Sequence, residues 1–306
     1  MFMSGQIKRV LITGGTGSIG RQLTKALLQQ GYEVSLLSRK PGNDPLVRTF
    51  TWNVNAGHID ENCIAEVDAV IHLAGAGIAD KKWTEQRKKE LTDSRTNSIA
   101  LIYHLIKTRP NQVKRIISAT AVGYYGNRAD EILSEQSAPG EGFMPECCIA
   151  WERAIDKGKT LGLPIVKFRT GVMLDKNTGA LPQMALPVKL FAGAPLGNGK
   201  QWIPWIHHSD VIGMYLFALE NEKLEGVFNM VAPEPATNKQ LTKAIAKQLH
   251  RPVWPFNVPA FVLNLLLGEM SVIVLGSTRA SAEKIKSAGY VFKHTRLAEA
   301  LEDIYR

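Results

Sequence analysis

The amino-acid sequence predicts an α/β fold: a doubly wound parallel sheet followed by a smaller C-terminal α/β lobe. Three observations carry this reading. Short aliphatic and β-branched runs alternate with helical stretches from residue 7 to about residue 168. A glycine cluster sits where the first run meets the first helix. After Phe168 the alternation gives way to a segment rich in proline and glycine, from Gly179 to Pro204, and then to further helices.

Ile7 to Thr13 reads as a buried parallel strand that stops at glycine. Gly14-Gly15-Thr16-Gly17-Ser18-Ile19-Gly20 leads into a helix from Arg21 to Leu28, ending near Gly31. Glu33 to Leu37 is a second strand, and Asp68 to Leu73 another that runs into Ala74-Gly75-Ala76-Gly77. Ile99, Ile102, Leu105 and Ile106 mark the core stripe of a long helix over Thr84 to Thr108, stopped before Pro110. Val113 to Ser118 is the next strand. Pro182, Pro187, Pro195 and Pro204, with Gly179, Gly193, Gly197 and Gly199, then mark a segment of short elements and loops. A helix is expected over Val211 to Glu220, a strand over Gly226 to Val231, and at least two helices from Asn238, the last at Leu297 to Tyr305. This places a first domain at residues 1–170, with 205–235 returning to it, and a lobe at 171–204 and 236–306.

The chain has 306 residues, 45% of them hydrophobic and 21% charged, which excludes a disordered tail, a collagen-like fibre and a disulfide scaffold. Lys and Arg number 37 against 28 Asp and Glu, a net charge of +9 that favours an acidic partner. Ten of the basic residues lie between Lys81 and Arg115 against three acidic ones, a local net of +7. The preferred reading is the solvated face of the long helix. Nucleic acid would require stacking aromatics or a recognition motif beside the charge, and only Trp83 and Tyr103 fall there. Met1 to Arg9 lacks the apolar core of a signal peptide. The apolar stretch Phe256 to Leu275 is interrupted by Asn257, Asn264 and Glu269, so no membrane span is expected. Cys63, Cys147 and Cys148 have no metal-ligand spacing, and a reduced, cytoplasmic protein is expected.

The strongest signal is strand, glycine loop, helix near the start of the chain. The glycines permit a tight turn, close approach of backbone to a pyrophosphate and close packing of helix on strand, while the helix N-terminus meets the negative charge. Gly14, Gly15, Thr16, Gly17, Ser18, Ile19 and Gly20 are therefore expected to bind a dinucleotide in a Rossmann-type domain. NAD binders carry Asp or Glu at the end of the second strand. Here Ser38-Arg39-Lys40 follows, with no carboxylate. A guanidinium and a hydroxyl suit a 2′-phosphate, so NADP(H) is the expected cofactor.

The sequence resembles an extended, epimerase/dehydratase-type short-chain dehydrogenase/reductase, and more narrowly the atypical branch of sugar-nucleotide epimerase-like proteins of unassigned substrate. The resemblance rests on Thr13 to Gly20, Val70 to Gly75, Ser94-Arg95, Val122-Gly123-Tyr124-Tyr125-Gly126 and Trp151-Glu152. It continues with Phe168 to Val172, Trp205-Ile206-His207-His208-Ser209-Asp210, Val253-Trp254-Pro255 and Gly268-Glu269-Met270. That tail is similar to the small C-terminal domain of the branch. The resemblance implies a catalytic tyrosine with a lysine four residues later, the lysine lowering the phenol pKa. No Tyr-x-x-x-Lys occurs in this sequence. Aligned on Trp151-Glu152, Cys147 takes the tyrosine position and Trp151 the lysine position; the assisting serine falls at Ala121 beside Thr120, and the helix asparagine at Ser94. Substitute chemistry would fall to Thr120, Tyr124, Tyr125 or Cys147, a thiol that is otherwise a packing group.

Further positions follow from the same resemblance. Asn53 is either an adenine contact or a turn residue. Leu73, Ala74, Gly75 and Ala76 are expected to let the cofactor pass close to backbone. Arg95 either meets a ligand anion or pairs with Asp93. Lys81, Trp83, Gly171, Val172, Gln201 and Trp202 are expected on the substrate side, with Lys200 in the same loop. His207, His208 and Asp210 have the composition of metal ligands, but the resemblance makes them a structural link and no metal is expected. The chain is thus expected to be an NADP(H)-binding epimerase or oxidoreductase acting on an anionic small molecule, a sugar nucleotide or other carbonyl or hydroxyl compound. The alternatives are a non-catalytic NADP(H)-binding regulator and, more remotely, a nucleic-acid binder. No membrane partner is expected; a homodimer is left open.

Overall fold

Among the described residues, eight strands make the main sheet, and the outcome of the alternation is visible in their order. The computed structural model describes residues 7–306; the reading of Met1 to Gln6 as free of a targeting segment lies outside them. The chain runs β1 (Arg9–Thr13), α1 (Ser18–Gln29), β2 (Glu33–Ser38), β3 (Arg48–Asn53), β4 (His58–Ile59), β5 (Ala69–His72), α2 (Glu85–Thr108) and β6 (Arg115–Ala121). It continues with β7 (Ile132–Leu133), α3 (Phe143–Asp156), β8 (Ile165–Thr170), β9 (Val172–Leu174), α4 (Ala180–Lys189), β10 (Trp202–Ile203), β11 (Trp205–His207), α5 (His208–Glu220) and β12 (Gly226–Met230). The sheet order is β12-β8-β6-β5-β1-β2-β3-β4. All its pairs are parallel except β3 with β4.

The order reverses at β1. Ile12 faces Leu36 of β2 on one side and Ile71 of β5 on the other. The crevice beyond the carboxyl ends of β1 and β5 is where a doubly wound sheet receives its ligand. Apolar side chains cover both faces. Val10, Ile12, Ile71, Phe168 and Tyr215 belong to one cluster, under α1 and α5, and Leu11, Val70, Ile99, Ile116 and Ile155 to the other, under α2 and α3.

The long helix begins where expected: Thr84 is its N-cap, its hydroxyl accepting from the Arg87 N–H at 3.1 Å. Its basic block is mostly spoken for within the fold. Arg87 pairs with Glu90, Lys88 with Glu85 and Glu269, Lys89 with Asp93, and Arg109 with Glu61. Arg115 is buried and donates to the carbonyls of Ala218, Asn221 and Glu222 at the end of α5.

The proline-rich segment is a correction. It holds a ten-residue helix, α4, with Pro187 inside it. Pro182 sits in the first turn, where its missing N–H costs nothing. Leu181, Ala185 and Val188 are buried on one face against the C-terminal lobe, and that burial offsets the bond Pro187 cannot make.

Beyond β12 come β13 (Ala236–Thr237), α6 (Asn238–Gln248), α7 (Ala260–Leu267), α8 (Val272–Leu275), β14 (Arg279–Ala280), α9 (Glu283–Ser287) and α10 (Leu297–Tyr305). α6 starts on a capping box between Thr237 and Gln240. Leu174, Trp205, Leu241 and Leu301 share the core of this part. Among the described residues no helix is long and apolar enough to cross a membrane.

Candidate functional site

The glycine loop is shaped by contacts that leave no room for side chains. Gly14 has φ +69°, and a Cβ there would lie 3.0 Å from the Leu73 carbonyl. A Cβ on Gly20 would lie 2.4 Å from the Gly14 oxygen and 2.6 Å from the Gly15 Cα, so α1 packs directly on the loop. The loop closes on a Gly17 N–H to Gly14 carbonyl bond of 2.9 Å. α1 then begins at Gly17 with no side-chain cap and no acidic residue in its first turn. Its first N–H groups and the positive end of its dipole are left for an anion. Thr13 fixes the opposite wall, its Oγ1 accepting from the N–H of Leu73 at 3.1 Å and of Ala74 at 3.0 Å.

Ser38 ends β2, with Arg39 and Lys40 exposed just past it. Arg39 makes no ion pair with any described residue. Ser38 Oγ accepts from the Lys40 N–H at 3.3 Å. Asn53, at the end of β3, behaves as a turn residue: its Oδ1 accepts from the Ala56 N–H at 3.1 Å.

The stretch after β5 is fastened from α2. Ser94 Oγ accepts from the Ala76 N–H at 3.0 Å, and Arg95 donates to the carbonyls of Ala76 at 2.9 Å and Leu91 at 2.7 Å. Arg87 donates to Gly77 O at 2.7 Å. Arg95 therefore does not pair with Asp93. Asp93 belongs to Lys89, and the Arg95 guanidinium lies 5.0 Å over the Trp151 ring, where burial lowers its pKa. At the position where the resemblance implies a lysine, an indole carries a cation borrowed from the neighbouring helix.

Beneath the site, β6, β8 and α3 enclose a polar network that sequence reading missed. Arg169 donates to Glu152 from Nε at 2.8 Å and from Nη2 at 3.0 Å, a paired arrangement. Lys167 reaches Glu152 at 3.4 Å and Asp156 at 2.8 Å. Arg169 also donates to the Tyr125 hydroxyl at 3.0 Å, which in turn donates to Asn229 at 2.7 Å. Burial opposes the charge of Arg169, but Glu152 outweighs it and its pKa is raised. On β5, buried His72 bridges Ser98 at 2.8 Å and Ser118 at 3.2 Å; burial, and then the charge of Arg95, hold it down to about 3.

This network sorts the expected proton carriers. Thr120 is buried and donates to Glu152 at 3.3 Å. Tyr125 is fully buried with its hydroxyl engaged on both sides, and burial raises its pKa despite Arg169. Cys147 is 5% exposed inside the α2–α3 contact, and its neighbour Cys148 is pushed by burial up to about 12. Three of the four are thus buried. Tyr124 remains, half-buried, with the Arg169 guanidinium 3.4 Å over its ring.

The expected substrate side divides likewise. Gly171, whose N–H donates to the Met230 carbonyl at 3.0 Å, packs so closely that a Cβ would lie 2.0 Å from the Pro204 oxygen; the Val172 N–H donates to that oxygen at 2.7 Å, and Val172 pairs with Trp205 of β11. Gln201 is buried and donates to the carbonyls of Leu196 and Val274, each at 3.1 Å. Trp202 donates to Asp130 at 2.8 Å. Trp83 is half-buried, donating to Ile78 O at 2.9 Å, and Lys81 is exposed. The C-terminal part reaches back to α2 through Glu269 and Lys88, 2.6 Å apart.

The described geometry has counterparts among known proteins. Residues 10–146 match the model of the NAD dependent epimerase/dehydratase family, and residues 258–304 match a domain of unknown function, DUF1731. The chain is 36% identical over 297 residues to the epimerase family protein YfhF of Bacillus subtilis, across 96% of this chain and 97% of that protein. Its fold is similar to a crystal structure of the human epimerase family protein SDR39U1 with NADPH: TM-score 0.85, 32% identity, 97% of this chain and 99% of that one. A nucleoside-diphosphate sugar epimerase from Corynebacterium glutamicum gives TM-score 0.79 and 29% identity, over 98% of this chain and 59% of that one.

Proposed function

The chain belongs to the NAD dependent epimerase/dehydratase family, and on that premise we propose that it is an NADP(H)-binding oxidoreductase or epimerase acting on a small anionic hydroxyl or carbonyl compound of the sugar-nucleotide kind. The single observation that carries the reading is the side-chain-free cradle at Gly14 and Gly20, opening on the uncapped N-terminus of α1. These residues fit a dinucleotide pyrophosphate. Ser38, Arg39 and Lys40, with no carboxylate among them, favour a 2′-phosphate. The human relative crystallised with NADPH supports the same choice.

When bound, the nicotinamide supplies the hydride chemistry. The remaining tasks fall to the chain. The α1 N–H groups hold the diphosphate, and Leu73 to Ala76 present bare backbone, kept in place by Ser94, Arg95 and Arg87. Tyr124 exchanges the substrate proton at its hydroxyl, with the Arg169 guanidinium packed over its ring. We assign residues 1–170 and 205–235 to the cofactor domain and 171–204 and 236–306 to the substrate lobe, since α5 packs on α1 and β12 joins β8.

A second reading, a non-catalytic NADP(H) sensor, is favoured by Trp151 in the lysine position and the burial of Cys147 and Thr120. Single-turnover oxidation of bound NADPH across a panel of sugar nucleotides and simple carbonyls separates the two. Oxidation coupled to one substrate class supports the enzyme; NADPH that binds and stays reduced with every compound supports the sensor.

A further inference from the structure

We propose that His207, His294 and Asp303 form a binding site for a divalent transition cation of the zinc class, tying the start of α5 to the last helix. The starting point is an orphaned atom. His207 is fully buried, yet its Nε2 has no hydrogen-bond partner. Its other nitrogen is engaged: Nδ1 lies 2.7 Å from Ser209 Oγ, in the turn where this histidine caps α5.

The orphan faces two further ligand atoms. Asp303 Oδ2 lies 3.4 Å from His207 Nε2 and 3.6 Å from His294 Nε2. Both separations are longer than the about 2.7–2.9 Å of a strong charge-assisted N–H···O⁻ bond. They suit the edge of a tetrahedron: two ligands each about 2.05 Å from zinc stand about 3.3 Å apart. All three atoms lie within 4.8 Å of one another. The Asp303 side chain is 50% exposed, which leaves a further position open to water.

The ligands are held before any cation arrives. The N–H groups of Lys293 and His294 donate to the buried carboxylate of Asp210 at 2.8 and 3.1 Å, fixing the backbone that carries His294. The imidazoles of His207 and His294 pack against each other, tilted by 41° with centroids 3.9 Å apart. Asp303 is carried by α10, whose Ala300, Leu301 and Ile304 are buried. Such outer support is what orients ligands in metal sites. Two imidazoles and one carboxylate select a cation of borderline softness; magnesium and calcium prefer oxygen alone.

The assignment differs from the grouping visible in the sequence. His208 is turned to Gln22 at 2.9 Å and Asp210 is consumed by backbone, so neither is a ligand. Their places are taken by two residues from the end of the chain.

The test uses the full untagged chain, stripped with chelator and dialysed against zinc, with magnesium as control. One equivalent of zinc is expected, together with a rise in Tm of about 4 °C when free zinc is near 100 times its Kd. Cobalt should bind in its place and give a visible absorption band. Asp303→Asn and His294→Gln alter partly exposed side chains, and both should keep the parent circular dichroism and NADPH affinity while losing the zinc equivalent. The absence of saturable zinc uptake, or uptake that survives both substitutions, would overturn the assignment.

Discussion

Glu152→Gln is the substitution whose cost the structure specifies most fully. The Glu152 carboxylate is buried and accepts from Arg169 at 2.8 and 3.0 Å, from Thr120 at 3.3 Å and from Lys167 at 3.4 Å. The amide keeps the shape and removes the charge. Lys167 retains Asp156 at 2.8 Å, whereas Arg169, only 3% exposed, is left with no carboxylate. Removing one partner of a buried pair costs about 3–5 kcal/mol. Because the amide oxygen still accepts one bond, the low end applies, about 3 kcal/mol. For a chain of this size that corresponds to a Tm lower by about 5 °C. Urea unfolding of the parent, Glu152→Gln, Arg169→Met and the double variant measures it as a cycle. The double variant should be less destabilised than the sum of the singles, since the second change removes a charge already orphaned. A single-variant loss under about 1 kcal/mol, or a double equal to the sum, would refute the account of this network.

Three other outcomes follow. Arg39→Glu should weaken NADPH binding by about tenfold or more and leave NADH nearly unchanged, read by fluorescence titration of each; equal losses would contradict the 2′-phosphate assignment. His72 is held down to about 3 by burial and then by Arg95, against an ordinary 6.5, so the folded chain resists a proton that the unfolded chain accepts. Its stabilising contribution is therefore complete above pH 6.5 and is lost as the pH falls from there towards about 3; urea melts along that range should slope less steeply in His72→Asn, and identical slopes would sink the argument. Tyr124→Phe should lower single-turnover oxidation of NADPH by about 100-fold with unchanged cofactor affinity, and an unaltered rate would remove the phenol from the chemistry.

What could be read in advance is what depends on neighbours in sequence. The glycine loop, the Thr84 cap and the Leu297–Tyr305 helix are local patterns, and each lies where the residues place it. β3 escaped because its buried residues, Phe50 and Trp52, give only a brief alternation. α4 escaped because proline reads as a breaker, while the burial of Leu181, Ala185 and Val188 depends on contacts with the distant lobe. The same division runs through the site. Its cofactor side is built from consecutive residues. Its proton-transfer side depends on Arg95 reaching Trp151 from another helix, and on Arg169 joining Glu152, Tyr124 and Tyr125 across three elements. No spacing rule links those partners, so the burial of Thr120, Tyr125 and Cys147 beside a half-buried Tyr124 could not be read in advance.

The central claim is a dinucleotide held on the bare glycine cradle, and titration of the full chain with NADPH, followed by the fluorescence of the reduced nicotinamide, tests it most directly. Saturable sub-millimolar binding is expected, abolished in Gly20→Val, whose side chain would begin 2.4 Å from the Gly14 oxygen. No saturable binding to the parent, or equal binding to parent and variant, would contradict it.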